Sequence, residues 1–231
     1  MAALVLLPGL DGTGLLLADF AASFGSDVKI IVASYPTNAP LGYSELEPIA
    51  RSFLPKDQPF VLLGESFSGP IAISIAASRP PGLLGLVLCC SFVRNPRPSL
   101  VVLRPLLSAV PVASLPLALL SFFVLGRFSS LALRRTLAES LAQVSPSVLR
   151  ARARAVLSVD LSAALSRVDV PVLYLRASED RVVPLSASQA VIALAPATKV
   201  VEFLAPHFLL QASPSQAAAT VYEFMECHRG L

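Results

Sequence analysis

One serine in this chain lies where a serine can become a nucleophile. Ser66 is at the centre of the motif Gly64-Glu65-Ser66-Phe67-Ser68-Gly69, between an apolar run at residues 60–63 and an alanine- and isoleucine-rich segment at 71–77. A strand that turns through small residues into a helix is the setting of a nucleophile elbow, which strains the serine backbone and lifts its hydroxyl clear of the sheet. The usual pattern is G-x-S-x-G, whereas here Ser68 takes the fifth position and Gly69 follows. The motif predicts a nucleophile at Ser66, and a plain turn is the alternative if it is taken alone.

Two further segments carry the groups that activate a serine. One is Ser178-Glu179-Asp180-Arg181-Val182-Val183-Pro184 and the other is Ala205-Pro206-His207-Phe208-Leu209. A serine hydroxyl is a poor nucleophile until an imidazole takes its proton and a carboxylate holds that imidazole in the correct tautomer. His228 lies near the chain end in a terminus expected to fray, which leaves His207 as the candidate base. By themselves the residues leave Glu179 and Asp180 both open as the acid, and Asp180 can instead cap the helix that follows.

A glycine-rich loop follows the first apolar run. Its sequence is Pro8-Gly9-Leu10-Asp11-Gly12-Thr13-Gly14. A loop that cradles phosphate is one interpretation, but the lysine of a P-loop and the full G-x-G-x-x-G spacing are both missing. Asp11 is expected to brace the loop by local hydrogen bonds.

The composition indicates one domain with an apolar surface. The chain has 231 residues, of which 55% are hydrophobic and 14% charged, with a net charge of +3. Arg150, Arg152 and Arg154 point to different faces of a helix and are interpreted as a solvated surface, so nucleic acid is not an expected partner. Three cysteines without disulfide or metal-ligand spacing, and an N-terminus unlike a secretory signal, favour a reducing cytoplasm.

An uncharged stretch at residues 105–126 has roughly the length of a membrane span. Pro105, Pro111 and Pro116 interrupt it, and each removes a backbone donor. We therefore expect several short apolar helices rather than one span.

Short apolar runs alternate with helical patterns along most of the chain. Runs that are apolar on both faces are typical of parallel strands buried between helices; they lie at residues 4–7, 28–32, 60–63, 86–90, 172–175 and 199–203. The helical patterns lie at residues 15–24, 42–54, 68–79, 186–194 and 213–228. This order predicts a doubly wound α/β fold with a mostly parallel sheet of about six strands. Residues 94–168 lack a convincing strand, so we expect a helical cap there, inserted into a core of residues 1–93 and 169–231.

In this order, the motifs make the chain resemble the α/β-hydrolase family over nearly its whole length. The elbow, the acid loop and the histidine loop each follow the end of a predicted strand, in the family's order of serine, acid and histidine. The resemblance implies Ser66 as nucleophile, Asp180 as acid and His207 as base, with the backbone N–H groups of Leu10 and Phe67 as the oxyanion hole. The first strand matches one that many relatives place third, so the chain resembles a compact version of the fold.

The resemblance also implies a function. We expect a serine hydrolase that cleaves carboxylic esters with medium-chain acyl or aromatic groups, without a cofactor or metal. A thioesterase or acyltransferase using the same triad is the alternative, followed by a non-catalytic ligand-binding protein of the same fold. An apolar cap would also offer a surface for lipid or for a second copy of the chain.

Overall fold

A parallel sheet of six strands forms the centre of the molecule. The computed structural model describes residues 2–99 and 116–228. The strands run in the order β2-β1-β3-β4-β5-β6, and every neighbouring pair is parallel. Their bounds are β1 (Ala3–Leu7), β2 (Lys29–Val32), β3 (Phe60–Glu65), β4 (Leu83–Cys89), β5 (Val172–Glu179) and β6 (Lys199–Pro206).

Helices join and cover these strands. In the described part of the chain they are α1 (Ala18–Ala22), α2 (Tyr43–Ser52), α3 (Gly69–Ala77), α4 (Leu117–Val124), α5 (Leu131–Ala142), α6 (Pro146–Val156), α7 (Ser162–Leu165), α8 (Leu185–Leu194), α9 (Leu209–Ala212) and α10 (Pro214–Cys227). Single 3-10 turns lie at Leu15–Leu17, Ser66–Ser68 and Gly126–Phe128.

Both faces of the sheet are buried. Successive side chains of a strand point to opposite faces, and in β1 the side chains of Val5 and Leu7 pack in one apolar cluster while those of Leu4 and Leu6 pack in another. The central strands are therefore apolar runs without alternation, because both of their faces are covered. The edge strands β2 and β6 keep exposed residues, among them Lys29 and Glu202. The predicted α/β fold with a parallel sheet of about six strands is confirmed.

The interval between β4 and β5 contributes helices to the fold. Its described residues form α4 to α7. Backbone hydrogen bonds from Leu161 to Val93 (2.8 Å) and from Asn95 to Val159 (3.0 Å) bring its two ends together. The first part of the apolar stretch at 105–126 lies outside the described residues, and its described part contains α4, with eight residues. Among residues 2–99 and 116–228, no helix combines the length and the apolar character needed to cross a bilayer.

The structure extends two strands beyond their apolar runs. We predicted ends at residues 175 and 203, but β5 continues to Glu179 and β6 to Pro206. The ladder between them includes Arg176 opposite Glu202, whose side chains form an ion pair with N and O atoms 2.7 Å apart. A cross-strand charge pair keeps the strands together where the apolar pattern has ended.

Candidate active site

The structure brings three distant side chains into one hydrogen-bonded chain. Ser66 Oγ lies 2.9 Å from His207 Nε2, and His207 Nδ1 lies 2.8 Å from Asp180 Oδ2. The His207 and Asp180 side chains are each only 6% exposed. The three residues follow β3, β5 and β6, whose carboxyl ends lie at the same edge of the sheet. Their side chains therefore meet where this class of fold places ligands.

The backbone of the elbow at Ser66 is strained. Ser66 has a φ of 45°, a left-handed conformation that costs a serine roughly 1–3 kcal/mol. An added Cβ at Gly64 would lie 2.8 Å from the Cβ of Ala72, so the approach of strand to helix requires a glycine there. The carbonyl of Ser66 accepts a hydrogen bond of 2.7 Å from the Ser91 hydroxyl, which helps to hold this conformation.

Ser91 also explains why the second glycine of the motif lies at 69. A Cβ on Gly69 would be 1.7 Å from Ser91 Oγ, so any side chain there would displace the hydroxyl that holds Ser66. At position 68 a serine fits, because its hydroxyl is buried and donates to the carbonyl of Pro8. The Tyr35 hydroxyl lies 2.9 Å from the same Ser68 oxygen. The departure from G-x-S-x-G therefore supplies a polar contact between the elbow and the glycine-rich loop.

The two candidate acids face different partners. The Oδ1 atom of Asp180 accepts hydrogen bonds of 2.8 Å from the amides of Val182 and Val183, while Oδ2 faces His207. The Glu179 carboxylate instead accepts hydrogen bonds from Arg127, with Nε 2.9 Å from Oε1. Asp180 thus fixes its own turn and also contacts the imidazole, but it does not cap the helix that follows, whose N-cap residue is Pro184 and which has no side-chain cap.

Opposing effects act on His207. Burial alone disfavours the imidazolium, but the charge and hydrogen bond of Asp180, together with the charge of Glu65, raise the pKa of His207 above its ordinary value. The imidazole is therefore a stronger base than a free histidine, while Asp180 is placed to hold the proton on Nδ1 and leave Nε2 free to accept one from Ser66.

The Leu10 and Phe67 amides, which we propose as oxyanion donors, belong to peptide groups whose carbonyl oxygens accept hydrogen bonds. The N–H of a trans peptide points away from its C=O. The Gly9 carbonyl, in the same peptide as the Leu10 N–H, accepts from the Gly12 amide at 3.1 Å. The Ser66 carbonyl, in the same peptide as the Phe67 N–H, accepts from Ser91. Leu10 and Phe67 both line the cavity that Ser66 and His207 line.

Asp11 braces the glycine-rich loop as expected. Its Oδ2 atom accepts from the Thr13 amide at 2.9 Å and from the Thr13 hydroxyl at 2.6 Å. The hydroxyl of Ser140, from α5, donates to the same oxygen at 2.8 Å. The loop is therefore fixed both by its own residues and by a helix from the interval between β4 and β5.

Glu65 is a second buried acid beside the site. Its side chain accepts a hydrogen bond of 2.8 Å from Gln211 Nε2 and lines the cavity. Burial is the main cause that raises its pKa to about 7, and the nearby Asp11 carboxylate acts in the same direction. The folded protein therefore keeps a proton on Glu65 between about pH 4.5 and 7, whereas the unfolded chain loses it.

This titration predicts a pH-dependent effect of Glu65→Gln. Because the unfolded state binds fewer protons in this window, the free energy of unfolding of the wild type falls as pH rises from 4.5 to above 7, by on the order of 3 kcal/mol from this group. Glu65→Gln removes that slope while keeping a neutral partner for Gln211. In urea unfolding curves from pH 4.5 to 8, the variant should gain stability relative to the wild type as pH rises. Glu139→Gln, which removes an exposed carboxylate on α5, is the control; parallel curves for wild type and Glu65→Gln would contradict the prediction.

A large apolar cavity opens beside the catalytic side chains. Its volume is about 650 Å³. The wall formed by the insertion comes from α4, α5 and α6 and is almost entirely aliphatic, with these residues: Leu117, Leu120, Val124, Leu137, Ala138, Leu141, Ala142, Leu149, Ala153 and Val156. Asp11, Glu65, Ser66 and His207 are the polar residues among those that line it in the described part of the chain. The cavity therefore suits an apolar group attached to a reactive polar centre.

The buried cluster of Cys90, Asp180 and His207 is better suited to proton transfer than to binding a metal ion. Cys90, Asp180 and His207 each offer a ligand atom, and these atoms lie within 4.8 Å of one another. Metal binding needs a thiolate, but burial raises the pKa of the Cys90 thiol well above its ordinary value. Asp180 and His207 are already hydrogen-bonded to each other. We therefore assign no metal to this cluster.

One sequence interpretation is wrong. We interpreted Arg152 as part of a solvated helix face, but its side chain is fully buried against the glycine-rich loop. A signal was present, since Arg152 lies four residues after Val148 and four before Val156, in the middle of an apolar stripe. Arg154, on the same helix, is exposed as expected.

A six-stranded parallel sheet with a strained serine elbow and a serine–histidine–aspartate chain at its carboxyl edge defines the α/β-hydrolase class. The sequence matches the model of the alpha/beta hydrolase family over residues 4–221. The chain belongs to this family.

Individual relatives agree with this assignment. The chain is 34% identical to mouse (Mus musculus) monoglyceride lipase over 138 residues, which cover 54% of this chain and 42% of that enzyme. The match therefore spans less than half the length of the mouse protein. Among solved structures, the enol-lactonase from Burkholderia xenovorans has a TM-score of 0.82 at 15% identity, covering 97% of this chain and 91% of its own. The esterase from Exiguobacterium antarcticum also has a TM-score of 0.82, at 14% identity, covering 98% and 92%. At these identities the two structures show the shared fold alone.

Proposed function

We propose that the protein is a serine hydrolase that cleaves carboxylic esters of apolar acids through an acyl-enzyme. The observation that carries the proposal is the continuous chain from Ser66 Oγ through His207 to Asp180, at the end of an apolar cavity. Membership of the family and the likeness to a protein named monoglyceride lipase support it.

Each residue has a distinct part in the proposed reaction. Ser66 Oγ attacks the ester carbonyl while His207 Nε2 accepts its proton, and Asp180 stabilises the imidazolium that forms. The amides of Leu10 and Phe67 hold the negative oxygen of the tetrahedral intermediate, each donor contributing on the order of 3 kcal/mol. The imidazolium then protonates the departing alcohol. Water, activated by the same imidazole, releases the acid and restores Ser66.

Helices α4 to α6 form the roof of the proposed substrate pocket. We propose residues 94–168 as the cap, and its part outside the described residues includes several of the leucines that predicted an apolar roof. Medium-chain acyl or aromatic groups match the volume and chemistry of the cavity. Contact of this cap with a lipid surface or with a second copy of the chain stays a prediction.

The cavity predicts a dependence on acyl chain length. Each buried methylene contributes about 0.8 kcal/mol, so kcat/KM for p-nitrophenyl esters should rise roughly fourfold per added CH2 until the cavity is full. Ala138→Phe places a ring into the cavity and should move the maximum to shorter chains.

Ala132→Phe is the matched control for this series. Ala132 lies on the same helix but is exposed and does not line the cavity, so its variant should keep the wild-type maximum. A maximum at strongly polar acids in the wild type, or an unchanged profile in Ala138→Phe, would contradict the assignment of the acyl site.

The same triad can serve a thioesterase or an acyltransferase, which differ in leaving group or acceptor. Side-by-side kcat/KM values for an oxoester and a thioester of the same acid, with and without added alcohol, separate these activities. We expect oxoester hydrolysis to dominate; a much faster thioester reaction, or formation of an ester of the added alcohol in place of the free acid, would favour the alternative.

A further inference from the structure

A buried arginine of the insertion is hydrogen-bonded to the loop proposed to hold the oxyanion. Arg152, on α6, donates from Nη1 to the carbonyls of Leu10 (2.9 Å) and Asp11 (2.6 Å). Its Nη2 atom donates to the carbonyl of Pro36 at 3.0 Å. The side chain is 0% exposed. One guanidinium thus joins the insertion to two loops that follow β1 and β2.

The setting of this charge is unusual for a structural arginine. A buried charge is costly to desolvate, so a buried arginine is normally paired with a carboxylate. Here the hydrogen-bond acceptors are backbone carbonyls, and Nε has no partner within the described residues. Within the described part of the chain no carboxylate forms a direct ion pair with Arg152, and the Asp11 carboxylate acts on its charge without such a contact. A hydrophobic residue at position 152 would avoid the free-energy cost of desolvating a charge. This indicates that the guanidinium is present for its hydrogen bonds to the loop.

The loop is shaped to accept the guanidinium. Gly12 has a φ of +72°, and a Cβ at this position would lie 2.4 Å from Arg152 Nη1. The glycine therefore provides both the turn and the space for the cation. The guanidinium carbon also lies 5.6 Å from the centre of the Tyr35 ring, whose hydroxyl contacts Ser68.

Four consecutive carbonyls of the loop are fixed by assigned donors. Pro8 accepts from the Ser68 hydroxyl and Gly9 from the Gly12 amide. The next two, those of Leu10 and Asp11, accept from Arg152. Leu10 supplies the proposed oxyanion donor, and the carbonyls on both sides of its Cα accept hydrogen bonds. The Gly9 carbonyl accepts from within the loop, and the Leu10 carbonyl accepts from Arg152 of the insertion.

We propose that Arg152 is a positioning residue through which the helical insertion sets the oxyanion loop in the conformation that stabilises the tetrahedral intermediate. This inference rests on the proposed function. It makes the insertion part of the catalytic arrangement, in addition to its place as the roof of the cavity. Without Arg152 the carbonyls of Leu10 and Asp11 lose their donor. The turn that places the Leu10 amide then keeps only the hydrogen bond from Gly12 to Gly9, and the amide is held less firmly toward the reacting carbonyl.

The test compares Arg152→Met with Arg154→Met. Both variants remove one positive charge from α6, but Arg154 is exposed. Each is assayed on an oxoester and on the matching thionoester, whose C=S sulfur is a weak hydrogen-bond acceptor and gains little from an oxyanion hole. Removal of one oxyanion donor costs roughly 100- to 1000-fold, so partial misplacement of Leu10 should lower kcat for the oxoester by roughly 10- to 100-fold.

The ratio of the two substrates distinguishes positioning from general damage. We expect kcat for the thionoester to change only a few-fold in Arg152→Met. The ratio of kcat for the oxoester to kcat for the thionoester should therefore fall in Arg152→Met, whereas Arg154→Met should keep the wild-type ratio. Equal losses on both substrates, or no loss, would overturn the inference. If Arg152→Met does not fold, the same ratio is measured for Arg152→Lys. A lysine keeps the positive charge but lacks the planar guanidinium, which donates to several carbonyls at once.

Failure of the proposed function can be separated from failure of this inference. If the wild type hydrolyses neither ester, the proposed function fails, and the rate of Ser66 phosphonylation by a fluorophosphonate is measured instead. The phosphoryl oxygen of that reagent needs the same two amides. Labelling at least roughly 10-fold slower in Arg152→Met than in Arg154→Met would support the inference; equal rates, or no labelling of the wild type, would overturn it.

Discussion

Ser66→Ala is expected to remove ester hydrolysis almost completely while leaving the fold intact. The hydroxyl is the only group of Ser66 placed against His207 Nε2, at 2.9 Å, and alanine offers nothing for the imidazole to activate. Loss of the nucleophile in serine hydrolases lowers kcat by roughly 10⁶-fold, since the remaining residues act only as a unit with it. The measurement is kcat on a medium-chain p-nitrophenyl ester, with thermal unfolding recorded in parallel.

The matched control is Ser74→Ala, the same change on α3, the helix that follows the elbow. Ser74 is partly exposed and does not line the cavity, so its variant should keep wild-type kcat. Hydrolysis by Ser66→Ala at more than a thousandth of the wild-type rate would rule out Ser66 as the nucleophile.

Asp180→Asn is expected to lower kcat by roughly 10⁴-fold, as loss of the acid does in triads of this kind. The asparagine amide would donate to His207 Nδ1, so the ring proton would move to Nε2, which could no longer accept from Ser66. The variant also loses the charge that raises the pKa of His207. Since hydrolysis needs a neutral imidazole, the remaining activity should fall away at lower pH than in the wild type.

Glu179→Gln is the control that separates the two candidate acids. Glu179 pairs with Arg127 at the surface, and exposed pairs of this kind contribute little to stability because water screens the two charges. This variant should hydrolyse esters within a few-fold of the wild type. A large loss in Glu179→Gln together with a small loss in Asp180→Asn would reverse the assignment.

The sequence was informative where local pattern and chain order decide the structure. All six apolar runs became strands, and the central ones are apolar throughout because both of their faces are covered. The geometry of the serine, acid and histidine was predictable because each follows a strand, and the carboxyl ends of parallel strands share one edge. The end of β5 was predicted too early, because Arg176 pairs with Glu202 in a register that one strand alone does not reveal. β6 continues beyond its apolar run because the same ladder extends to the pair of Glu179 and Pro206.

Long-range contacts of residues outside the three motifs were beyond prediction. Arg152 meets Asp11 across 141 positions of the chain, and its burial depends on how α6 packs against two loops of the core. The reason for a serine at position 68 similarly lies in the carbonyl of Pro8, sixty positions away. The helical spacing of Val148, Arg152 and Val156 showed that Arg152 shares a face with apolar residues, but only the fold shows what that face contacts.

The most direct test of the account is the crystal structure of the protein after reaction with a p-nitrophenyl alkylphosphonate that carries a medium-length chain. We predict a bond from phosphorus to Ser66 Oγ, the phosphonyl oxygen between the amides of Leu10 and Phe67, and the alkyl chain inside the apolar cavity. Phosphorus bound to another residue, or an alkyl chain lying outside that cavity, would contradict the proposed mechanism.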